Sequence, residues 1–200
     1  MSTPYDYEAV DLLDKIGVPA YKIGSGDVTF LEFLKYIAKK GKPVILPTGA
    51  STIQEIKEAV SVIKSTKNNK IIILQSVTQY PSPVKQSNIL AMVSLREKFG
   101  FNVGYSDHSP NIAVPVASVA HGACVIEKHF TNNKNNKGPD HPHSLNHQEF
   151  SHMVQSIRDV EKALGDGVKK IESSEKETRI IQRRSIFTIK KIKKGEKFSK

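Results

Sequence analysis

The sequence predicts a parallel α/β fold, and within that class a (β/α) barrel. Three observations carry the prediction. Five short apolar, β-branched runs recur: "AYKIGSG" (20–26), "PVILPTG" (43–49), "KIIILQSV" (70–77), "FNVGYSD" (101–107) and "ACVIEKHF" (123–130). They read as strands buried on both faces, as parallel strands are. Helix-patterned segments separate them, and strand–helix alternation at about 20–30 residues means right-handed βαβ units. Third, polar residues collect just past most runs: Ser25 and Asp27, Thr48, Ser76 and Thr78, Ser106 and His108, and His129. A barrel builds its site from the C-terminal ends of its strands. An open doubly wound sheet is the alternative. No run is followed by a glycine fingerprint with its acidic partner, and "GSG" at 24–26 alone is weak.

The helices carry their own punctuation. "TFLEFLKYIAKKG" opens on a Thr29/Glu32 capping pair, and "STIQEIKEAVSVIKS" on Ser51/Gln54. "QSNILAMVSLREKFG" stops at Gly100 and "PNIAVPVASVAHG" at Gly122. "NHQEFSHMVQSIRDVEKALGDG" follows the fifth strand, opening on Asn146 and Glu149. A complete barrel takes about 250 residues. The 200 residues here hold five clear strands, with "MSTPYD" as the stub of a sixth. The expected architecture is therefore an incomplete barrel over residues 1–167, its N-terminal strands missing.

Composition removes several classes. One cysteine, Cys124, excludes an internal disulfide framework. It lies at the start of a strand, where a packing role is expected. No secretory signal opens the chain, and no apolar run approaches a membrane span. A soluble, cytoplasmic protein is expected. The net charge is +10, and residues 168–200 hold 12 Lys and Arg against 4 Glu. Such a tail can contact nucleic acid or acidic lipid. Without interleaved aromatic stackers it reads as a solvated, lysine-rich segment, with neither nucleic acid nor membrane as partner.

Two strand ends carry histidine. Ser106 and His108 share one strand face, as do Glu127 and His129. Neighbouring parallel strands lie about 4.8 Å apart, so both rings can reach one cation. Such a site would stay open to water and substrate and suit Mn²⁺ or Mg²⁺. Two unrelated capping histidines are the alternative. Lys22 interrupts an apolar strand, a costly position unless it meets an anion. Ser25 and Gly26 offer a hydroxyl and an amide for phosphate or carboxylate, and Asp27 a proton carrier. Otherwise Lys22 snorkels and the loop is a turn. "YPSP", from Tyr80, forms a stiff loop over the mouth. "DHPH" gathers Asp140, His141 and His143, as further ligands or as a solvated loop; Asp140 could also bind sugar hydroxyls.

The chain resembles a known family. "YKIGSGD", "GKPVILPTGAST", "QYPSP", "GYSDHS", "VIEKHFT", "GPDH" and "RRSI" occur here in the order found in the sialic acid synthases. The resemblance implies a (β/α) barrel, a small C-terminal antifreeze-like domain and a domain-swapped homodimer. Residues 168–200 would then be a linker and the beginning of that domain. It implies condensation of phosphoenolpyruvate with an N-acetylated amino sugar, such as N-acetylmannosamine, helped by a divalent metal. His108 and His129 match the metal-binding pair. Thr3, Lys22, Ser25 and Ser106 match phosphoenolpyruvate positions. Asp27 matches an acidic proton carrier, and Tyr80 and Asp140 match positions near the sugar. Thr48 and Thr78 are further expected substrate contacts. Pro47 departs from the family's Ser, removing a hydroxyl and an amide, and Thr48 is expected to compensate. Ser76 stands where Cys is usual. Another metal-dependent or phosphoenolpyruvate-dependent aldol barrel, or a non-catalytic fragment, is the runner-up.

Overall fold

The computed structural model describes residues 1–197. They form two compact units, Met1–Leu164 and the segment from Gly165 onward. In the first, α1 (Tyr7–Ile16) precedes the alternation β1 (Tyr21–Lys22), α2 (Leu31–Ala38), β2 (Val44–Pro47), α3 (Ile53–Ser65), β3 (Ile71–Ser76), α4 (Ile89–Phe99), β4 (Asn102–Asp107), α5 (Ala113–Ala120), β5 (Ile126–Lys128) and α6 (His147–Ala163). The second holds one α-helix, α7 (Lys176–Gln182), preceded by a 3-10 turn at Ser173–Glu175, among its described residues. The expected opening of an antifreeze-like domain includes residues 198–200, which lie outside the described residues.

All five strands are parallel and lie in the order β1-β2-β3-β4-β5. A doubly wound sheet reverses its order at a switch point. This one runs in sequence, as a barrel wall does. A flat sheet would separate its outer strands by about 19 Å, four inter-strand spacings. Yet Lys22 Nζ on β1 lies 3.3 Å from Glu127 Oε2 on β5. The sheet therefore curls, and two side chains meet across its concave face. Beyond β1, the stub expected at the N-terminus is present: Ser2 forms a parallel bridge to Tyr21, and the Lys22 amide donates to the Ser2 carbonyl at 3.1 Å.

The core explains the arc. Val44, Leu46, Ile71, Ile73, Val103 and Tyr105 from the strands pack with Phe33, Ile37, Ile56, Ile63 and Leu95 from the helices, all buried. Leu145, Met153 and Ile157 close a smaller cluster with Val119 on α5. Two expected caps move. The helix α2 begins after Phe30 with no side-chain cap, so the Thr29/Glu32 pair does not form. On α3 the pair is Thr52/Glu55, one residue beyond the expected Ser51/Gln54. Ser51 instead turns its hydroxyl onto the Gly49 carbonyl at 3.4 Å, and its amide onto that of Thr48 at 3.2 Å, extending the loop one residue. The Asn146/Glu149 capping box and the left-handed stop at Gly100 form where expected. Cys124 is exposed, not packed in the core.

Candidate active site

A polar cavity of about 330 Å³ opens at the C-terminal ends of the strands. Thr3, Lys22, Ser25, Tyr80, Ser106, His108, His129 and Asp140 all line it. Eight residues chosen from spacing and resemblance thus converge on one space, within the size range of small-ligand sites.

β4 and β5 bring the two imidazoles together: their ring centroids are 5.4 Å apart. His108 Nδ1 lies 2.8 Å from the Val77 carbonyl. A carbonyl only accepts, so Nδ1 carries the proton and Nε2 keeps its lone pair for a ligand. Burial holds the His108 pKa below its usual value, against the raising effect of that carbonyl, which favours the neutral, ligating ring. Tyr80 covers the pair, 4.2 Å from the His108 ring and 5.4 Å from that of His129. Its loop is tied down by Ser82, whose amide donates to the His108 carbonyl at 2.9 Å. Burial, then the Glu127 carboxylate, pushes the Tyr80 hydroxyl pKa up, so it stays a proton donor.

Glu127 is the residue that spacing did not single out for a role. It accepts from Ser106 Oγ at 3.1 Å and pairs with Lys22 at 3.3 Å. The available signal was its position two residues before His129 on the same strand face. The ammonium of Lys22 also donates to its neighbour's carbonyl, that of Ile23, at 2.8 Å. It is thereby aimed into the cavity rather than snorkelling outward.

The C-terminal ends of both histidine strands are joined by an ion pair invisible in the pattern. Lys128 Nζ lies 2.6 Å from Asp107 Oδ2, with both side chains 1% exposed. Lys128 also donates to the carbonyls of Ser109 and Asn111, and Asp107 accepts from the Ser109 amide and hydroxyl, each at 2.9 Å. Each charged residue immediately precedes a cavity histidine. Their side chains point to the opposite strand face, as alternation requires.

Three expected site residues do not line the cavity. Asp27 sits in the short turn Ser25–Asp27, its carboxylate against the cavity-lining Gly24, and burial pushes its carboxyl pKa up. Thr78 stands over Gly49: a Cβ added there would lie 2.0 Å from Thr78 Oγ1 and 3.0 Å from Ser25 Oγ. Only a glycine lets these two hydroxyls approach. Thr48 is turned away. Its amide and its hydroxyl both donate to the Leu74 carbonyl, at 2.9 and 3.0 Å. It lines a separate hollow between α3 and α4 with Gln75 and Leu95. The expected compensation for Pro47 is thus absent from the cavity. In the turn after Asp140, His141 bonds Thr131 while His143 turns inward and is 9% exposed.

The family model for NeuB matches residues 1–169. The chain belongs to the NeuB family. It is 48% identical over its whole length to an N,N'-diacetyllegionaminic acid synthase of Campylobacter jejuni, and 39% identical over 99% of its length to a pseudaminic acid synthase of the same organism. It spans 57–60% of those curated relatives. Among solved structures it matches a Leptospira borgpetersenii sialic acid synthetase, crystallised with citrate. The TM-score is 0.82 at 36% identity, over 90% of this chain and 62% of that one. A truncated heptulosonate-phosphate synthase from Thermotoga maritima shares the fold at a TM-score of 0.71 and 20% identity.

Proposed function

We propose that this chain forms much of the catalytic barrel of a nonulosonic acid synthase that condenses phosphoenolpyruvate with an N-acetylated amino sugar. The observation that carries the reading is the meeting of Lys22, Glu127, Ser106 and the two histidines in one polar cavity. The phosphoenolpyruvate anion would lie against Lys22, Ser25 and Thr3. The sugar would lie against Tyr80 and Asp140. In the reaction, the methylene carbon of phosphoenolpyruvate bonds to the sugar's aldehyde carbon. Water adds to the enol carbon, and phosphate leaves with its bridging oxygen by C–O cleavage.

The donor set suits a divalent cation: His108 keeps a free ring nitrogen beside His129, with the Asp140 carboxylate near. A Mn²⁺ or Mg²⁺ ion held there would polarise the aldehyde as a Lewis acid. Lys22 neutralises phosphate and carboxylate charge, and Glu127 keeps its ammonium in place. Asp27 is outside the cavity lining, but its carboxylate lies against Gly24, which lines it, and from there it would move a proton.

The names of the relatives sharpen the sugar. A diacetylated product holds two acetamido groups, and phosphoenolpyruvate brings no nitrogen. For such a product the acceptor sugar itself must carry both, unlike N-acetylmannosamine, which carries one. We therefore favour a diacetamido sugar as acceptor. The reading also includes a homodimer of the whole protein, residues 168–200 as linker and start of an antifreeze-like domain, and weak turnover by these 200 residues alone.

Titration with phosphoenolpyruvate by calorimetry tests the anion site. Saturable binding is expected, weakened at least tenfold (about 1.4 kcal/mol) in Lys22→Met. Binding indifferent to Lys22 would overturn the assignment. Mass analysis of products from mono- and diacetamido sugars, with the whole protein, decides the acceptor.

A further inference from the structure

We propose that His143 is a third imidazole donor to the cation at His129, and that with Asp140 it biases the site toward transition metals over Mg²⁺. The inference rests on the reading that a divalent cation binds at His129.

His143 Nε2 is buried and has no hydrogen-bond partner. Leaving such a group unsatisfied costs about 1–3 kcal/mol. The polar groups facing it stand too far off to hydrogen-bond. Asp140 Oδ1 lies 3.7 Å away, beyond hydrogen-bond reach, and the His129 ring centroid is 5.2 Å from its own. Asp140 Oδ2 is in turn 3.9 Å from His129 Nδ1. One donor atom from each of His129, Asp140 and His143 falls within 4.8 Å of the other two. Three donors spread evenly around one ion, each at about 2.0–2.2 Å from it, lie about 3.3–3.8 Å apart. The widest separation thus has to close by about 1 Å at most. The Asp140 side chain, 61% exposed, is free to do so.

The neighbouring histidine serves as an internal contrast. His141 Nδ1 is taken by Thr131 Oγ1 at 2.6 Å. The short turn His141–His143 therefore commits one imidazole to the loop and aims the other, two residues on, at His129. Carboxylate and water suit Mg²⁺, whereas added imidazole favours Co²⁺ and Zn²⁺.

The test uses the metal-free 200-residue chain, titrated with Co²⁺ and with Mg²⁺ by calorimetry, with the visible d–d bands of Co²⁺ as a second readout. His143→Phe keeps an aromatic ring of similar size, and His143→Gln serves if the first variant fails to fold by circular dichroism. Expected is a loss of more than about tenfold in Co²⁺ affinity with altered bands, and a smaller effect on Mg²⁺. Unchanged Co²⁺ affinity and spectrum in a folded variant overturn the proposal. His129→Gln separates the two readings. If it abolishes Co²⁺ binding while the His143 variants do nothing, the cation site stands and the role of His143 falls. If it changes nothing, both fall.

Discussion

Strand ends β4–β5 and β2–β3 occupy equivalent places on one parallel sheet, yet only the first presents reactive groups. At β4 and β5, each inward polar side chain faces the cavity while its neighbour in sequence is locked behind the sheet. Ser106, His108, Glu127 and His129 look in; Asp107 and Lys128 pair in the dark. At β2 and β3 the polar groups are kept out of the cavity. Thr48 donates twice to Leu74, and Ser76 Oγ is buried without a partner. The difference teaches that a polar residue past a strand is not yet a site residue. What decides is on which strand face it falls and, as for Thr48, whether its hydrogen-bonding capacity is already spent on the backbone.

Three substitutions bracket that contrast. Lys128→Met should have the largest effect, because it strands Asp107 as a buried, unpaired charge. A loss of roughly 3–5 kcal/mol is expected in urea unfolding. A cost below about 1 kcal/mol would mean that the pair does not anchor the histidine strands. Gly49→Ala comes next. Its methyl group would drive into Thr78 Oγ1 and press on Ser25. The expected result is about 1–3 kcal/mol of destabilisation together with weaker phosphoenolpyruvate binding. Full affinity in this variant would remove Ser25 from the anion site. Thr48→Val should be mildest, at about 1 kcal/mol for a hydroxyl hydrogen bond whose acceptor keeps the Thr48 amide. Its phosphoenolpyruvate affinity should match that of the parent, and a drop would restore Thr48 to the site.

Much of this was legible in the sequence. Apolar runs of the right length located all five strands, and period-two alternation put His108 and His129 on a shared face. Long-range geometry was not legible. That Lys22 meets Glu127 depends on sheet curvature, which no local pattern encodes. The Lys128–Asp107 pair joins neighbours in space that are 21 residues apart. The direction of the Thr48 hydroxyl was not legible: the Thr48 amide continues the ladder that Val44 begins on the Lys70 carbonyl, and the hydroxyl follows the amide to the carbonyl of Leu74. For the loop, "DHPH" named the right residues but not which of its histidines would face inward.

The central claim is that β4 and β5 hand two imidazoles to a common cation across from Lys22. Anomalous diffraction from crystals soaked in Mn²⁺ reads this directly. The account predicts a peak at the cavity wall within coordination distance, about 2 Å, of a ring nitrogen from both His108 and His129. A well-occupied peak that touches neither ring, or no peak at saturating Mn²⁺, would contradict it.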